Sequence, residues 1–283
     1  MQFDNKIGTH LTCKKYKLSL QKPIIMGILN ITPDSFYDGG KFNNVDNALI
    51  QAQKMVQEGA NIIDVGGEST RPNADVVTID EELNRVIPVI EKINANLSVP
   101  ISIDTSNAIV MQEAVNAGAS LINDVRALTR DNALQTAVQL NVPVCIMHMQ
   151  GKPKNMQQNP EYSDVVAEVS GYLKERAEEC FAAGIHPTKI ILDPGFGFGK
   201  KLAHNLALLK NLQAISDIGF PVLAGMSRKS MFGHLLGLDE SERLHPSMTA
   251  NVLAYMNGAN IFRVHDVTPT VQALRVANAV ANA

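Results

Sequence analysis

The stretch Ile101-Ser102-Ile103-Asp104-Thr105-Ser106 is a short apolar run that ends in polar side chains. Runs of this kind, rich in β-branched residues, recur eight times along the chain. They are Ile24–Leu29, Ile62–Val65, Ile101–Ile103, Leu121–Ile122, Val144–Met147, Ile190–Leu192, Val222–Ala224 and Ile261–Val264. Segments with helical spacing separate them, and this alternation predicts parallel βα units.

Eight βα units in 283 residues favour an α/β fold of the (β/α)8 TIM-barrel type, whose usual size is about 250 residues. A doubly wound open sheet has the same local pattern, and the count of eight favours the barrel over it. We therefore predict a single barrel domain over residues 23–283. Residues 1–22 alternate loosely between apolar and polar side chains, which predicts an N-terminal hairpin that covers the bottom of the barrel.

A weak internal repeat supports the barrel. Gly-Ala pairs at positions 59, 118 and 258 each end a helical segment, where glycine readily takes a left-handed conformation. A polar residue follows each glycine five positions later, at or near the end of a strand: Asp64, Asn123 and Arg263. The repeat can reflect three similar turns only, or it can place chemistry at equivalent positions of the catalytic rim.

Composition excludes several classes of protein. The hydrophobic fraction of 45% and the charged fraction of 19% are those of a globular chain with a large core. No signal-peptide pattern and no membrane-spanning apolar run is visible. The three cysteines have no metal-like spacing, so we expect a reducing cytoplasm. A net charge of −3 without a basic run argues against nucleic acid as a partner.

Two familiar motifs fail on inspection. Gly195–Lys200 follows a strand like a nucleotide loop, but Pro194 and Lys201 stand where a P-loop needs Gly and Ser or Thr. Gly225–Lys229 begins like a nucleophile elbow but lacks the final glycine. A Schiff-base role for Lys229 is a less favoured alternative to anion binding.

Polar side chains at the strand ends remain as candidates. Asp104, Asn123 and Asp193 end strands 3, 4 and 6, and Asn30 ends strand 1. One such residue alone is as often a helix cap or a partner of local backbone. Two acids and an amide on one rim suit a flat heterocycle with several N–H donors, because carboxylates accept such donors in pairs.

The last two strands carry basic residues. Ser227-Arg228-Lys229-Ser230 ends strand 7, and Arg263-Val264-His265-Asp266 ends strand 8. Arg263 and His265 are two positions apart and so point to the same side of the strand. The alternative is a solvated rim with local ion pairs. Barrels often bind phosphate at these two loops, so the pattern predicts a polar heterocycle that carries a phosphate or diphosphate.

Five stretches together resemble the dihydropteroate synthase family, and the resemblance runs from about Pro23 to Val267. They are Met26–Phe36, Asp64–Pro72, Asp193–Lys200, Gly225–Ser230 and Arg263–Asp266. The resemblance implies a transferase of folate biosynthesis that condenses 6-hydroxymethyl-7,8-dihydropterin diphosphate with 4-aminobenzoate, and a target of sulfonamides.

The resemblance also implies roles for individual residues. It places the pterin on Asp104, Asn123, Asp193 and Lys229. It places the diphosphate among Thr70, Arg263 and His265, with magnesium near Asn30. It builds the 4-aminobenzoate pocket from Phe36, Arg71, Pro72, Phe198 and Ser230. The residues expected to act in catalysis are Asp104, Asp193, Lys229, Arg263 and His265.

Two other functions stay open at this point. A pterin-binding methyltransferase barrel would share the pterin acids but would not need Ser227–Lys229 together with Arg263 and His265. A silent homologue that binds pterin without turnover would lack the lysine or the loop residues, which are present here. The resemblance further suggests a homodimer, with small-molecule substrates and no nucleic acid or membrane partner.

Overall fold

The computed structural model of the protein describes residues 8–31, 41–68, 77–151, 156 and 159–283. A short hairpin of β1 (His10–Cys13) and β2 (Tyr16–Ser19) precedes the main sheet, and its two strands pair antiparallel. This confirms the hairpin predicted from the alternation near the N-terminus.

The main sheet contains eight parallel strands. They are β3 (Ile24–Asn30), β4 (Ile62–Gly66), β5 (Ile101–Asp104), β6 (Leu121–Asp124), β7 (Val144–Met147), β8 (Ile190–Asp193), β9 (Leu223–Ala224) and β10 (Ile261–Val264). They are hydrogen-bonded in the order β8-β7-β6-β5-β4-β3-β10-β9. A parallel bridge between Leu192 and Val222 joins the two ends of this order and closes the sheet into a barrel. The predicted (β/α)8 fold is therefore confirmed.

Helices surround the barrel. They are α1 (Lys41–Glu58), α2 (Ile79–Asn96), α3 (Ala108–Ala117), α4 (Ala133–Leu140), α5 (Val165–Ala183), α6 (Leu202–Lys210), α7 (Gln213–Ser216), α8 (Ser230–Leu236), α9 (Leu244–Met256) and α10 (Val267–Ala281). Thr78 and Glu81 form a capping box at the start of α2, in which each side chain accepts the other residue's backbone N–H. None of the helices in the described part of the chain is long and apolar enough to cross a bilayer.

Most strands extend further into their polar ends than the apolar runs predicted. Asn30, Asp104 and Asp193 are the last residues of β3, β5 and β8, which confirms that they end their strands. Ladder pairing continues through them because a parallel sheet bonds through the backbone, whatever the side chain. The last helix starts at Val267 with Asp266 as its cap residue, and the Asp266 carboxylate accepts from an arginine and does not cap the helix.

The barrel interior has two layers of side chains. The lower layer is apolar and fully or almost fully buried: Ile24, Met26, Ile62, Leu121, Cys145, Ile191, Leu223 and Ile261. Leu11 and Cys13 of the hairpin belong to the same cluster, so the hairpin covers the bottom of the barrel as predicted. Two residues further along β4, β6, β8 and β10, the next inward-facing positions are Asp64, Asn123, Asp193 and Arg263, which form the polar layer that contains the candidate site.

Candidate active site

Arg263 lies at the centre of the polar layer. Its Nε donates to Asp64 Oδ2 at 2.6 Å, and its Nη2 donates to Asp104 Oδ2 at 2.7 Å. Asn123 Nδ2 donates to the same Asp64 oxygen at 3.3 Å. The three polar positions of the internal repeat therefore meet at one carboxylate, and Asp64 orients both an amide and a guanidinium of the candidate site.

Burial and charge set the protonation of this cluster. Burial raises the pKa of Asp104 to about 7, with Arg263 opposing the shift and Asp64 adding to it. Burial alone would lower the pKa of Arg263, but the carboxylates of Asp64 and Asp104 hold it above its ordinary value. Two buried acids thus share one guanidinium that stays charged, and the charge of Asp104 can change near neutral pH.

Asp193 occupies the opposite side of the cavity. Its Oδ1 accepts the backbone N–H of Gly195 at 2.7 Å, which fixes the carboxylate plane. Burial raises the pKa of Asp193, while that hydrogen bond and the cations of Lys229 and Lys200 act in the other direction. Only 6% of the residue is exposed, so a ligand that meets this carboxylate does so in a nearly dry environment.

Lys229 projects from the segment between β9 and α8. Its Nζ lies 4.3 Å from the centroid of the Phe198 ring, a cation–π contact. Gly197 lies close beneath it, because a Cβ at that position would come within 3.2 Å of Lys229 Cδ. Ser230 follows as the first residue of α8. The predicted pterin lysine and two predicted walls of the 4-aminobenzoate pocket are therefore neighbours.

His265 follows the end of β10. The Ser227 hydroxyl accepts its backbone N–H at 3.2 Å and lies 3.0 Å from its Nδ1. Burial, with Arg263 and Arg228 nearby, lowers the pKa of His265 to about 4. The imidazole is therefore neutral at pH 7 and meets an anion first as a hydrogen-bond donor, not as a charge.

Arg228 gives the segment before Lys229 its shape. Its φ of 56° is in the left-handed region, which is uncommon for a residue with a side chain. Its guanidinium is bidentate on Asp266, with Nε–Oδ2 at 2.9 Å and Nη2–Oδ1 at 2.6 Å. Its backbone N–H donates to Ser247 Oγ at 2.9 Å. These bonds hold the turn that points Ser227 and Lys229 toward the cavity.

One cavity of about 1040 Å³ collects these residues at the carboxyl ends of the strands. Nine of the residues predicted from sequence line it: Asn30, Asp104, Asn123, Asp193, Phe198, Lys229, Ser230, Arg263 and His265. The other four, Phe36, Thr70, Arg71 and Pro72, lie outside the residues that the structure describes, and their roles stay predictions.

Whether this site can hold a metal ion depends on whether a diphosphate is bound. Asn30 is exposed at the end of β3 and lines the cavity, where its amide can supply one oxygen. Within the described ranges, no group of three or more His, Cys, Asp or Glu residues is placed to hold an ion. Mg²⁺ commonly takes few protein ligands and completes its shell with water and substrate phosphates, so a lone amide is compatible with it only when a diphosphate is bound.

Sequence reasoning missed part of the site. Lys200 and His148 are buried beside the cavity and contact each other, with Lys200 Nζ 3.0 Å from His148 Nδ1. Glu68 lines the cavity and pairs with Arg126 at 3.7 Å. The sequence signal for Lys200 is its position at the end of a run of alternating glycines, a run that resembles a P-loop only in part.

Comparison with known proteins gives one family. The family model for pterin binding enzymes matches residues 26–265. The dihydropteroate synthase of Haemophilus influenzae is 54% identical over 94% of this chain and 97% of its own length. That of Escherichia coli K12 is 52% identical over 94% of both chains.

Solved structures agree with the sequence matches. The Yersinia pestis dihydropteroate synthase in complex with a sulfonamide drug superposes with a TM-score of 0.92 at 50% identity, covering 97% of this chain and 100% of that one. The Xanthomonas albilineans dihydropteroate synthase in complex with 7,8-dihydropteroate has a TM-score of 0.89 at 44% identity, covering 97% and 99%. With the cavity described above, these matches show that the chain belongs to the dihydropteroate synthases, a family of pterin-binding transferases.

Proposed function

We propose that this chain condenses 6-hydroxymethyl-7,8-dihydropterin diphosphate with 4-aminobenzoate to give 7,8-dihydropteroate and diphosphate. The observation that carries the proposal is a single cavity that is lined by both buried acids and cations. Asp104 and Asp193 are 8% and 6% exposed, and Lys229, Arg263 and His265 line the same space. The 7,8-dihydropteroate held by the Xanthomonas relative supports it.

The pterin ring takes the deep part of the cavity in this proposal. Asp193 accepts the 2-amino and N3 hydrogens, since Gly195 uses only part of the acceptor capacity of its carboxylate. Asn123 and Asp104 contact the ring from β6 and β5. Lys229 donates to the far edge of the ring, which bears acceptors. Donors and acceptors of the pterin would then be matched in a site where an unpaired polar group is costly.

The diphosphate takes the side of β10 and β3. Arg263 and His265 bind it in this proposal, and Thr70 is a further expected contact. Asn30 would be one ligand of Mg²⁺, which would supply further neutralisation of the leaving group's charge. Because Asp64 and Asp104 already share the Arg263 guanidinium, that residue acts from a fixed position. A preorganised cation needs no rearrangement as negative charge develops on the leaving oxygen.

The reaction exchanges one bond for another. The C–O bond between the pterin methylene and the diphosphate breaks, and the electron pair leaves with the diphosphate. The amine nitrogen of 4-aminobenzoate supplies the pair for the new C–N bond and then loses one proton. The carboxylates of Asp104 and Asp193 favour the cationic character of the methylene and the ring. Phe36, Arg71, Pro72, Phe198 and Ser230 form the 4-aminobenzoate pocket in this proposal.

A homodimer in the cytoplasm is also part of the proposal. Leu253 and Met256 on α9 and Val276 and Val280 on α10 are 47%, 53%, 67% and 68% exposed, and the two helices pack side by side. Apolar exposure of this kind is typical of a subunit contact. Free, buried cysteines at positions 13, 145 and 180 are consistent with a reducing compartment. Light scattering of Leu253→Asp and Val276→Asp against the unmodified protein tests the dimer, which these charges should dissociate.

Diphosphate release by the purified protein is the decisive assay. We expect release from the pterin diphosphate in the presence of 4-aminobenzoate, loss of release without it, and loss in excess chelator with recovery on addition of magnesium. Binding of the pterin without release under any of these conditions would make the chain a silent pterin-binding homologue. Full activity in excess chelator would remove magnesium from the proposal but leave the reaction.

A further inference from the structure

Lys200 is a buried cation with no exit to solvent. Only 3% of the residue is exposed. Its Nζ lies 3.0 Å from His148 Nδ1, 3.2 Å from His148 O, 2.9 Å from Gly195 O and 3.0 Å from Phe198 O. An ammonium has three hydrogens, and these four acceptors share them. The Lys200 amino group is therefore engaged by acceptors of the protein itself, although the residue also lines the cavity.

The charge states of Lys200 and His148 are complementary. Burial, with the cation of Lys200 nearby, lowers the pKa of His148 to about 3, so its imidazole is neutral and its Nδ1 can accept a hydrogen bond. Burial lowers the pKa of Lys200 to about 7, and the carboxylate of Asp193 opposes that shift. A buried cation is costly unless it is hydrogen-bonded, and Lys200 Nζ has four acceptors within 3.2 Å.

The loop between β8 and α6 folds around this ammonium. Gly195, Gly197 and Gly199 have φ of 68°, 83° and 61°, which alternate with residues of ordinary conformation. A Cβ on Gly195 would come within 1.9 Å of His148 O, and one on Gly199 within 2.4 Å of Gln150 O. The loop therefore lies directly against the segment after β7. In this path the carbonyls of residues 195 and 198 both turn toward Lys200 Nζ.

The same loop positions two groups of the candidate site, the Asp193 carboxylate and the Phe198 ring. The Gly195 N–H holds the Asp193 carboxylate at 2.7 Å, and the Phe198 ring lies under Lys229 Nζ at 4.3 Å. The carbonyls of Gly195 and Phe198 are the ones that Lys200 binds. A change at Lys200 therefore reaches a pterin carboxylate and a 4-aminobenzoate wall without either substrate touching it.

We propose that Lys200 is a positioning residue of the reaction, whose buried ammonium holds the 195–199 loop so that Asp193 and Phe198 meet their substrates. The proposal rests on the function proposed above for its substrates. It differs from the phosphate-binding role of a P-loop lysine, because the acceptors of Lys200 are carbonyls and an imidazole of the protein itself. It also differs from a general contribution to the core, because its contacts are confined to the two segments that face the cavity.

Two variants and one control test the proposal. Lys200→Met keeps the length of the side chain and removes all three donors, and Lys200→Gln keeps two N–H donors. Lys210→Met, at the exposed end of α6, makes the same chemical change away from the site. Steady-state kinetics give kcat and both KM values, and hydrogen exchange by mass spectrometry follows the peptide over residues 194–201 against the rest of the chain.

We expect Lys200→Met to raise the KM for 4-aminobenzoate at least about tenfold. A loss of this size is typical when groups of an active site are slightly misplaced. The KM for the pterin diphosphate should rise as well, exchange should accelerate in residues 194–201 only, and Lys200→Gln should lie between this variant and the unmodified protein. Lys210→Met should match the unmodified protein in every measurement.

Other outcomes overturn the proposal. A fall in kcat with both KM values unchanged, or exchange that accelerates evenly along the chain, would mean that Lys200 serves general stability. Failure of both Lys200 variants to fold would lead to the same conclusion. If the unmodified protein shows no turnover, the proposed function fails on that result, and the exchange of the 194–201 peptide together with pterin binding still decides whether Lys200 positions the loop.

Discussion

The two layers inside the barrel differ although the same strands build them. Ile62, Leu121, Ile191 and Ile261 fill the lower layer, and Asp64, Asn123, Asp193 and Arg263 follow at the next inward-facing position of each strand. A step of two residues, about 7 Å along a strand, thus separates a dry apolar core from a buried set of charges. The lower layer stabilises the fold because it removes apolar surface from water. The upper layer instead holds charges that water would otherwise solvate.

The difference between the two layers indicates which substitutions should change stability and which should change activity. The apolar layer needs the correct volume but no particular chemistry, so its substitutions should change the free energy of unfolding. The polar layer needs particular atoms at particular distances, as the two carboxylates on the Arg263 guanidinium demonstrate. Its substitutions should change binding or turnover first. Substitutions in each layer test this division.

The largest effect is expected for Ile191→Ala in the lower layer. The side chain is fully buried, so its truncation should lower the free energy of unfolding by about 2–5 kcal/mol. Ile191→Val, as the matched smaller deletion, should lower it by about 0.5–1.5 kcal/mol. Urea denaturation measures both, and turnover per folded molecule should stay unchanged. A lower turnover of the folded fraction would show that the layers are not separable.

Arg263→Ala should lower turnover by at least about a hundredfold, the usual effect of losing a charge that stabilises a transition state. The change also leaves the buried carboxylates of Asp64 and Asp104 without their shared cation. Initial rates of diphosphate release measure the loss, and denaturation of the same sample measures the accompanying destabilisation. Near-normal rates in this variant would remove Arg263 from the diphosphate site, whatever its effect on stability.

Asp193→Asn should weaken binding of the pterin diphosphate by about 1–3 kcal/mol, because one acceptor oxygen becomes a donor that faces a donor. The carboxylate is nearly fully buried, so water cannot restore the lost bond. Isothermal titration calorimetry gives the affinity. Unchanged affinity would assign Asp193 to a structural role, such as holding the Gly195 N–H.

The smallest effect concerns pH and His265. Its pKa is lowered to about 4, so the free imidazole is neutral between pH 5 and 7. A bound diphosphate should raise that pKa, and binding should therefore take up a proton and strengthen as pH falls from about 7 to 5. One proton allows at most about a tenfold change in affinity per pH unit. Calorimetry in buffers of different ionisation enthalpy measures the proton uptake.

His265→Gln is the matched control for the titration of the diphosphate itself. It keeps a neutral donor and removes the titrating ring, so the remaining pH dependence belongs to the ligand and to other groups of the site, such as Asp104, whose pKa is about 7. Equal proton uptake by the variant and the unmodified protein would exclude His265 as the group that titrates on binding.

The sequence predicted the barrel and the strand-end residues well, for a physical reason. Apolar periodicity is local, and the carboxyl ends of parallel strands necessarily meet at one rim, so Asp104, Asn123 and Asp193 could be placed together. Sharing of Arg263 by two acids could not be predicted, because it depends on side-chain reach across the barrel. The same is true of Lys200, whose partner His148 is 52 residues away in the chain.

The N-terminal hairpin has a consequence for the order of events during turnover. Leu11 and Cys13 are fully buried under the barrel, so in the described part of the chain the site is approached from the strand ends. Asp193 lies deep in the cavity, whereas Phe198 is half-buried and Ser230 is exposed nearer its mouth. We therefore expect the pterin to bind before 4-aminobenzoate and the product to leave with its pterin end last. A small molecule bound against Phe198 and Ser230 would then slow the release of a ligand that is bound deeper in the cavity.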